Sequence, residues 1–404
     1  MNFKDKHILL LTGTNLTCNP RCLKEVNLFV ELGATVTVVA FNLHNWSDSF
    51  EKIIIKEKPT VQFHYLESTR KNFIPWLIGS FMEKSARIII KFFLNSTFLA
   101  AMATSKRSWY LLHWWKENKL KPDLIIAHNP AAFYPAYCLG RKYEIPFAVD
   151  VEDYHPGESI DSSVKIAVTA LMAKLLPLAA YVSYASPLIM EFSKKNLFIK
   201  SKSDVVINNF FIKKDFENPS SVTHEKMMFV WFSQNIDYGR GLEELLSVFT
   251  SYRESIELTL IGNVKKKFHE QYLKNKNGIK ILPPMQSSEL HRIMKNYDVG
   301  LAIEPGKDVN NNIALSNKIL TYFQAGLYIL ASDTEAQKMF LKEHPNHGFT
   351  CSLSRDDIIK TFEIILKNKE KIRKDSSERF KKASLHNWEN ESRILTAKWN
   401  SVLH

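Results

Sequence analysis

The sequence predicts an α/β protein built from two Rossmann-like, doubly wound domains facing a cleft. Three observations carry this reading. Short apolar runs alternate with helical segments through most of the chain, the pattern of parallel strands covered on both faces by helices. A polar stretch from Lys213 to Glu225, containing Asn218-Pro219-Ser220-Ser221, interrupts the alternation midway and reads as a linker. The 404 residues, 45% hydrophobic and 24% charged, suffice for two cores without disulfide or metal support.

In the first half, His7–Thr12 reads as a buried strand. A loop, Gly13–Pro20, leads to a helix over 21–32 that Gly33 stops, and Thr35–Phe41 is the next strand. Strands follow at 124–127, 147–151, 181–183 and 205–207, with helices at 131–143, 164–176 and 186–195 between them. In the second half, strands are predicted at 229–232, 257–261 and 279–282, and helices at 241–252, 269–276 and 287–296. Asp298–Asp333 then gives an apolar strand (299–303), an Asn/Gly/Asp-rich loop, a short helix and a strand (328–331). That helix opens at Ser316-Asn317-Lys318, where Ser316 is a good N-cap, and closes at Ala325-Gly326. Residues 378–403 read as a terminal helix carrying Trp388 and Trp399. The expected domains are 1–212 and 213–385. Residues 386–404 are expected to pack back on the first.

Cys18, Cys22, Cys138 and Cys351 form no Cys-x-x-Cys pair and have no zinc-like spacing. They read as reduced thiols. The sequence shows no signal-peptide pattern and no stretch of roughly 18 apolar residues able to span a bilayer. The expectation is a cytoplasmic protein, peripheral on the inner face of the cell membrane.

The formal net charge is +12. Between Arg70 and Lys121 ten basic residues face two acidic ones, so this segment alone carries +8. Such a field calls for an anionic partner. Within it, residues 73–103 read as an amphipathic helix, with Phe81, Ile88, Ile89 and Phe92 on one face and Lys84, Arg87 and Lys91 on the other. With Trp76, these residues predict contact with an anionic membrane surface. No nucleic-acid recognition motif accompanies them, and nucleic acid is not an expected partner.

The segments that could carry chemistry lie where predicted strands end. After the strand that ends at Ser233, a loop of small and polar residues holds Gln234 and brings Arg240 to a helix start. Backbone N–H groups, helix dipole and guanidinium there suit a leaving diphosphate. Lys318 and the helix that begins at Ser316 and Asn317 offer the same chemistry. His128 ends the strand of Leu124–Ala127, and Asp150, Glu152 and Asp153 follow the strand at 147–151. Carboxylates there could accept hydrogen bonds from sugar hydroxyls or act as a general base. There is no Walker loop, no Gly-x-Gly-x-x-Gly and no Asp-x-Asp pair after a strand. No metal or other cofactor is expected, and positive charge must come from side chains and helix ends.

Taken in order, these segments resemble the GT-B glycosyltransferases. Specifically, they resemble the large retaining, GT4-like group that includes phosphatidylinositol mannosyltransferases and many bacterial O-antigen and capsule enzymes. Asn19-Pro20-Arg21-Cys22-Leu23-Lys24-Glu25 before Leu32–Val38 resembles the group's first βαβ unit. His128 matches a histidine near the donor sugar. Arg240-Gly241-Leu242 occupies a Lys-Gly-Leu position that contacts the diphosphate, and Asn317-Lys318 with Ala325-Gly326-Leu327 matches the nucleotide-binding helix. The sequence departs from the group at Gln234, where an Arg is usual. It departs again at Thr321 and Ile313, where two Glu residues eight apart are usual, one of them binding the ribose.

The resemblance implies transfer of a sugar from a nucleotide-diphospho-sugar to a saccharide or lipid-linked saccharide, in surface polysaccharide or glycoconjugate synthesis. It further implies that no metal is used and that anomeric configuration is retained. His128, Arg240 and Lys318 are the expected catalytic residues. Gly13, Ser233, Gln234, Gly262, Asn263, Glu304, Ser316, Asn317 and Thr321 are expected at the donor, and Asn15, Asp150, Glu152 and Asp153 at the acceptor. Two alternatives remain open: a non-catalytic nucleotide-sugar-binding subunit of a transferase complex, and a GT-B-type nucleotide-sugar epimerase.

Overall fold

The computed structural model describes residues 3–93, 95–118, 120–158, 161–220, 224–274 and 277–404. The chain divides into two compact units, 1–208 with 392–404, and 209–391. Each is a parallel sheet flanked by helices.

The first unit holds β1 (His7–Thr12), β2 (Thr35–Phe41), β3 (Gln62–Leu66), β4 (Leu124–His128), β5 (Phe147–Val151), β6 (Val182–Tyr184) and β7 (Asp204–Val206). They pair in the order β3-β2-β1-β4-β5-β6-β7, all parallel. β1, β4 and β5 are almost wholly buried, which is why they read as continuous apolar runs. The order reverses direction between β1 and β4. The loops leaving their carboxyl ends therefore part to open a crevice, the usual ligand position in such sheets.

The second unit repeats the plan with β8 (Met227–Ile236), β9 (Ile256–Val264), β10 (Ile279–Leu282), β11 (Val299–Ala302), β12 (Tyr328–Ser332) and β13 (Gly348–Cys351). The order is β10-β9-β8-β11-β12-β13, and the switch point falls between β8 and β11. Trp231, Phe229 and Leu260 pack one face of this sheet, and Tyr322, Phe323 and Ile319 pack the other.

Several elements differ from the sequence reading. β8 does not end at Ser233. It continues to Ile236 through a register shift between Phe232 and Asn235. Gly262 makes this possible: its φ is +148°, and a Cβ there would lie 2.2 Å from the Ser233 carbonyl oxygen. Gly262 and Asn263 thus belong to β9 rather than to a loop. The terminal helix is broken. Ser376–Ala383 and Trp388–Leu403 are separate helices. Within the first unit, fully buried Trp399 stacks on Phe29 at 3.6 Å and donates to the Tyr181 hydroxyl at 2.8 Å.

The basic aromatic segment also differs. It forms two helices, Phe73–Ile89 and Thr97–Thr104, and Lys91 and Phe92 lie beyond the first. The helix Phe73–Ile89 turns small residues inward, Gly79 and Ala86, and leaves Ile74, Phe81 and Ile88 each 70% exposed. Phe92, past its end, is 79% exposed. Lys84 flanks this apolar stripe rather than facing away from it. Trp76 is not at the surface but half-buried beneath Arg70 and Lys106, 4.8 and 5.4 Å from its ring centroid. Arg87 is spent internally, donating to the Ala103 carbonyl and to Glu83.

Candidate functional site

At the switch point of the second sheet, three distant segments meet around a cavity of about 450 Å³. β8 brings Phe232, Ser233 and Gln234. The loop before the helix Leu242–Phe249 brings Arg240. The helix Asn317–Gln324 brings Asn317 and Lys318. The opposite wall is apolar, from Ile261, Pro284, Met285 and Leu290, with Ser287 among them. A polar, cationic side against an apolar one suits a ligand with an anionic end and a flat base. The sequence reading missed the apolar wall. Pro283-Pro284-Met285 directly after β10 was its only signal.

Arg240 is held by its neighbours' backbone. Gly239 and Gly241 have φ of +73° and +77°, and a Cβ on Gly241 would lie 2.3 Å from Ile303. Among the described residues no carboxylate forms an ion pair with Arg240. The expected convergence of backbone donors is weaker here, because the Gly239 N–H is taken by Glu243 at 2.5 Å.

Lys318 is in a different state. Only 9% exposed, it donates to Glu304 Oε1 at 2.5 Å and lies 5.6 Å from the Trp231 ring centroid. Glu304 is fixed in turn by its backbone, whose N–H donates to Ser332 Oγ and whose carbonyl accepts from it. Glu304 is therefore the counter-ion of Lys318. Ser316 begins the helix but does not cap it through its side chain. Its buried hydroxyl has no partner among the described residues, so the first turn is left to other acceptors. Asn317 is exposed and accepts from Asn209 at 2.9 Å. Thr321 is fully buried with an unpartnered hydroxyl, and so does not present the hydrogen bond expected of it to a ligand. Gly262 and Asn263 shape the β8–β9 backbone instead of lining the cavity.

In the first unit the expected residues fall into two layers. The lower one is a buried ionic network. Arg21 donates from Nε and Nη2 to both Asp150 oxygens, at 2.8 and 2.6 Å, and from Nη1 to the Ile207 carbonyl. Ser183 donates to Asp150 as well. His128 Nδ1 lies 3.3 Å from Glu152 and 3.5 Å from Asp150, and Nε2 lies 3.6 Å from Glu25. Burial opposes charge on His128, yet Cys22, Glu25 and Asp150 around the ring hold its pKa well above the usual histidine range. Burial would likewise raise Asp150, but Arg21 and His128 hold it far below the ordinary carboxylate value. Glu25 is pushed up by its burial.

Neither His128 nor Asp150 has any exposed surface. This corrects the expectation that they touch ligand: they position Glu152 and the Asn129 turn above them. Asn15 is also buried, its amide spent on Ser47 and on the Cys18 N–H, which braces the loop after β1. Ligand atoms of His128, Asp150 and Glu152 lie within 4.8 Å of one another, a spacing a metal could use. Arg21 already occupies both oxygens of Asp150, so the group is a compensated ion network.

The upper layer is accessible. Gly13, Thr14, Asn129 and Asp153 line a cavity at the carboxyl ends of β1, β4 and β5. Asn129 takes φ +68°, rare outside glycine, and accepts from Thr12 Oγ1 at 2.9 Å. A Cβ on Gly13 would lie 2.9 Å from that of Ala131, so only glycine lets the two loops approach this closely.

No protein-family model matches the chain, and no curated protein matches it in sequence. Solved structures do match. HepE of Anabaena, crystallised with UDP, superposes with a TM-score of 0.68 at 14% identity, over 98% of this chain and 100% of that one. Sucrose-phosphate synthase of Thermosynechococcus elongatus gives 0.70 at 11% identity, over 98% and 99%. A UDP-N-acetylglucosamine 2-epimerase also matches, at 0.55 and 13% identity, over 95% and 94%. The chain has the GT-B fold of these proteins: two parallel-sheet, Rossmann-like units.

Proposed function

We propose that this GT-B-fold chain is a glycosyltransferase that takes its sugar from a nucleotide-diphospho-sugar. One observation carries the reading: Arg240, Lys318 and Asn317, far apart in sequence, line one cavity with an apolar wall at the switch point of the second sheet. In glycosyl transfer the transition state is oxocarbenium-like, and the departing diphosphate gathers negative charge. Preorganised cations and helix-end dipoles stabilise that charge. Arg240 supplies an uncommitted guanidinium, and Lys318 a cation that can pass from Glu304 to a phosphate. The reading needs no metal, because these groups provide the charge. HepE has been crystallised with UDP-glucose, which supports a uridine diphosphate sugar as donor. Retention of configuration follows from the resemblance.

Acceptor binding falls to the first unit, where Asp153 and Glu152 offer carboxylates to sugar hydroxyls. The acceptor in this reading is a saccharide or lipid-linked saccharide of surface-glycan synthesis, met at a membrane face. The inverted helix Phe73–Ile89 supports that location, since it spends small residues on its own unit and turns Ile74, Phe81 and Ile88 outward beside Lys84. Among the described residues no helix is long and apolar enough to cross a membrane. Flotation with phosphatidylserine vesicles should carry the protein upward, and Phe81→Ser with Ile88→Ser should abolish this. Absence of wild-type flotation would remove the membrane from the account.

The epimerase reading keeps the same fold and pocket, and a structural match of that activity exists. A mass balance separates the two. With a panel of nucleotide sugars and a lipid-extract acceptor, a transferase releases one nucleoside diphosphate per sugar transferred. An epimerase converts the nucleotide sugar with no acceptor present.

A further inference from the structure

The cavity of the first unit, about 500 Å³, carries a cation on one side and the carboxylates Asp153 and Glu158 on another. Arg107 lines it. The guanidinium donates from Nη1 to the Gly13 carbonyl at 2.6 Å and from Nε to Ser68 Oγ at 3.4 Å, and it lies 5.1 Å from the Phe41 ring centroid. Among the described residues no carboxylate reaches ion-pair distance of it. The contrast with Arg21 on Asp150 and Arg373 on Asp298 is direct. Burial works against the Arg107 charge and lowers its pKa, with only Glu83 and Cys18 at longer range offsetting it. A guanidinium taken from water without a counter-ion costs stability, and an incoming anion would relieve that cost. Its planar fork matches phosphate oxygens better than any other side chain does.

The rest of the cavity is graded. Thr104 and Ser105 line it close to Arg107 in the chain, while Asp153 and the His155–Glu158 pair, 2.6 Å apart, come from the segment after β5. Phosphate suits the first group and sugar hydroxyls the second. The Arg107 segment is also bound to the exposed apolar helix. Lys106 donates to Ser80 at 3.2 Å, Arg87 donates to the Ala103 carbonyl at 3.0 Å, and a Cβ on Gly79 would lie 3.2 Å from Tyr110. An acyl or isoprenoid chain leaving the cavity past residues 104–107 meets that helix directly.

We propose that this cavity binds the phosphate of a lipid-linked acceptor, with Arg107 as its anion anchor and the helix Phe73–Ile89 beside its chain. The proposal rests on the transferase reading for calling the ligand an acceptor, but not for the binding itself.

The test is flotation of the full-length protein with two kinds of phosphatidylcholine vesicle, one doped with a polyprenyl phosphate and one with phosphatidylserine. Arg107→Gln should lower affinity for polyprenyl-phosphate vesicles by about tenfold or more. It should leave binding to phosphatidylserine vesicles unchanged, which also shows that the variant is folded, and Arg107→Lys should recover part of the loss. Equal binding of wild type and Arg107→Gln to the polyprenyl-phosphate vesicles would overturn the proposal. So would an equal loss on both vesicle types, which marks general surface charge. Full competition by a soluble hexose phosphate would overturn the lipid source. UDP titrations on the same variants report on the donor cavity separately, so failure of the donor reading is distinguishable from failure here.

Discussion

Arg240→Ala is expected to lower sugar transfer by about two to three orders of magnitude, the range seen when one preorganised stabiliser of developing charge is removed. The size follows from its state before the ligand arrives. Arg240 lines the proposed donor cavity without a carboxylate partner among the described residues, on a turn fixed by two positive-φ glycines. Its charge is neither neutralised nor in need of reorientation when the diphosphate leaves. Lys318 starts from an ion pair with Glu304 at 2.5 Å, so part of its stabilisation is lost in breaking that pair. Arg240→Ala should therefore lower kcat more than it raises KM, because the interaction strengthens as charge develops. Steady-state kinetics with a nucleotide sugar check this, and wild-type turnover in the variant would remove Arg240 from the mechanism.

The second large effect is on stability. Asp150→Ala is expected to destabilise the first unit by about 3–5 kcal/mol, the cost of breaking a buried ion pair from one side. Arg21 would keep only the Ile207 carbonyl as a close acceptor, and His128 would keep Glu152 and Glu25. Denaturant melts of wild type and variant measure it, and a loss under about 1 kcal/mol would be that of an exposed pair. The same network gives a pH sign. The folded pKa of Asp150 is depressed, so its contribution is complete above its unfolded value, near 4, and is lost as pH falls below that. The variant should lack this part of the wild type's acid sensitivity.

How much the sequence disclosed depended on the range of the interactions involved. β1, β4, β5 and β11 were legible because strands buried on both faces must be apolar throughout. β3 and β13 were not, since both read as short, mixed segments. Arg240 and Lys318 were legible as polar residues placed where a strand hands over to a helix. The apolar wall of Pro284, Met285 and Leu290 was hidden because apolar residues near strand ends look like core. Pairings were invisible. Arg21 and Asp150 are 129 residues apart, and nothing local in either marks the other. That pairing turned Asp150 and His128 from ligand-facing residues into buried supports. Thr321 was expected at the donor where the group carries a Glu, whereas the structure buries its hydroxyl. Exposure decided the role of the basic aromatic segment. Its helix was legible, but the inward turn of Gly79 depended on Tyr110 and the helix that carries it.

The central claim is that the cavity at the β8–β11 switch point holds the nucleoside diphosphate of the donor. Hydrogen exchange of the protein with and without UDP tests it most directly. The account predicts slowed exchange in the segments 233–242, 284–290 and 316–320, and loss of that protection in Arg240→Ala at the same UDP concentration. Protection confined to the first unit, or none at saturating UDP, would contradict it.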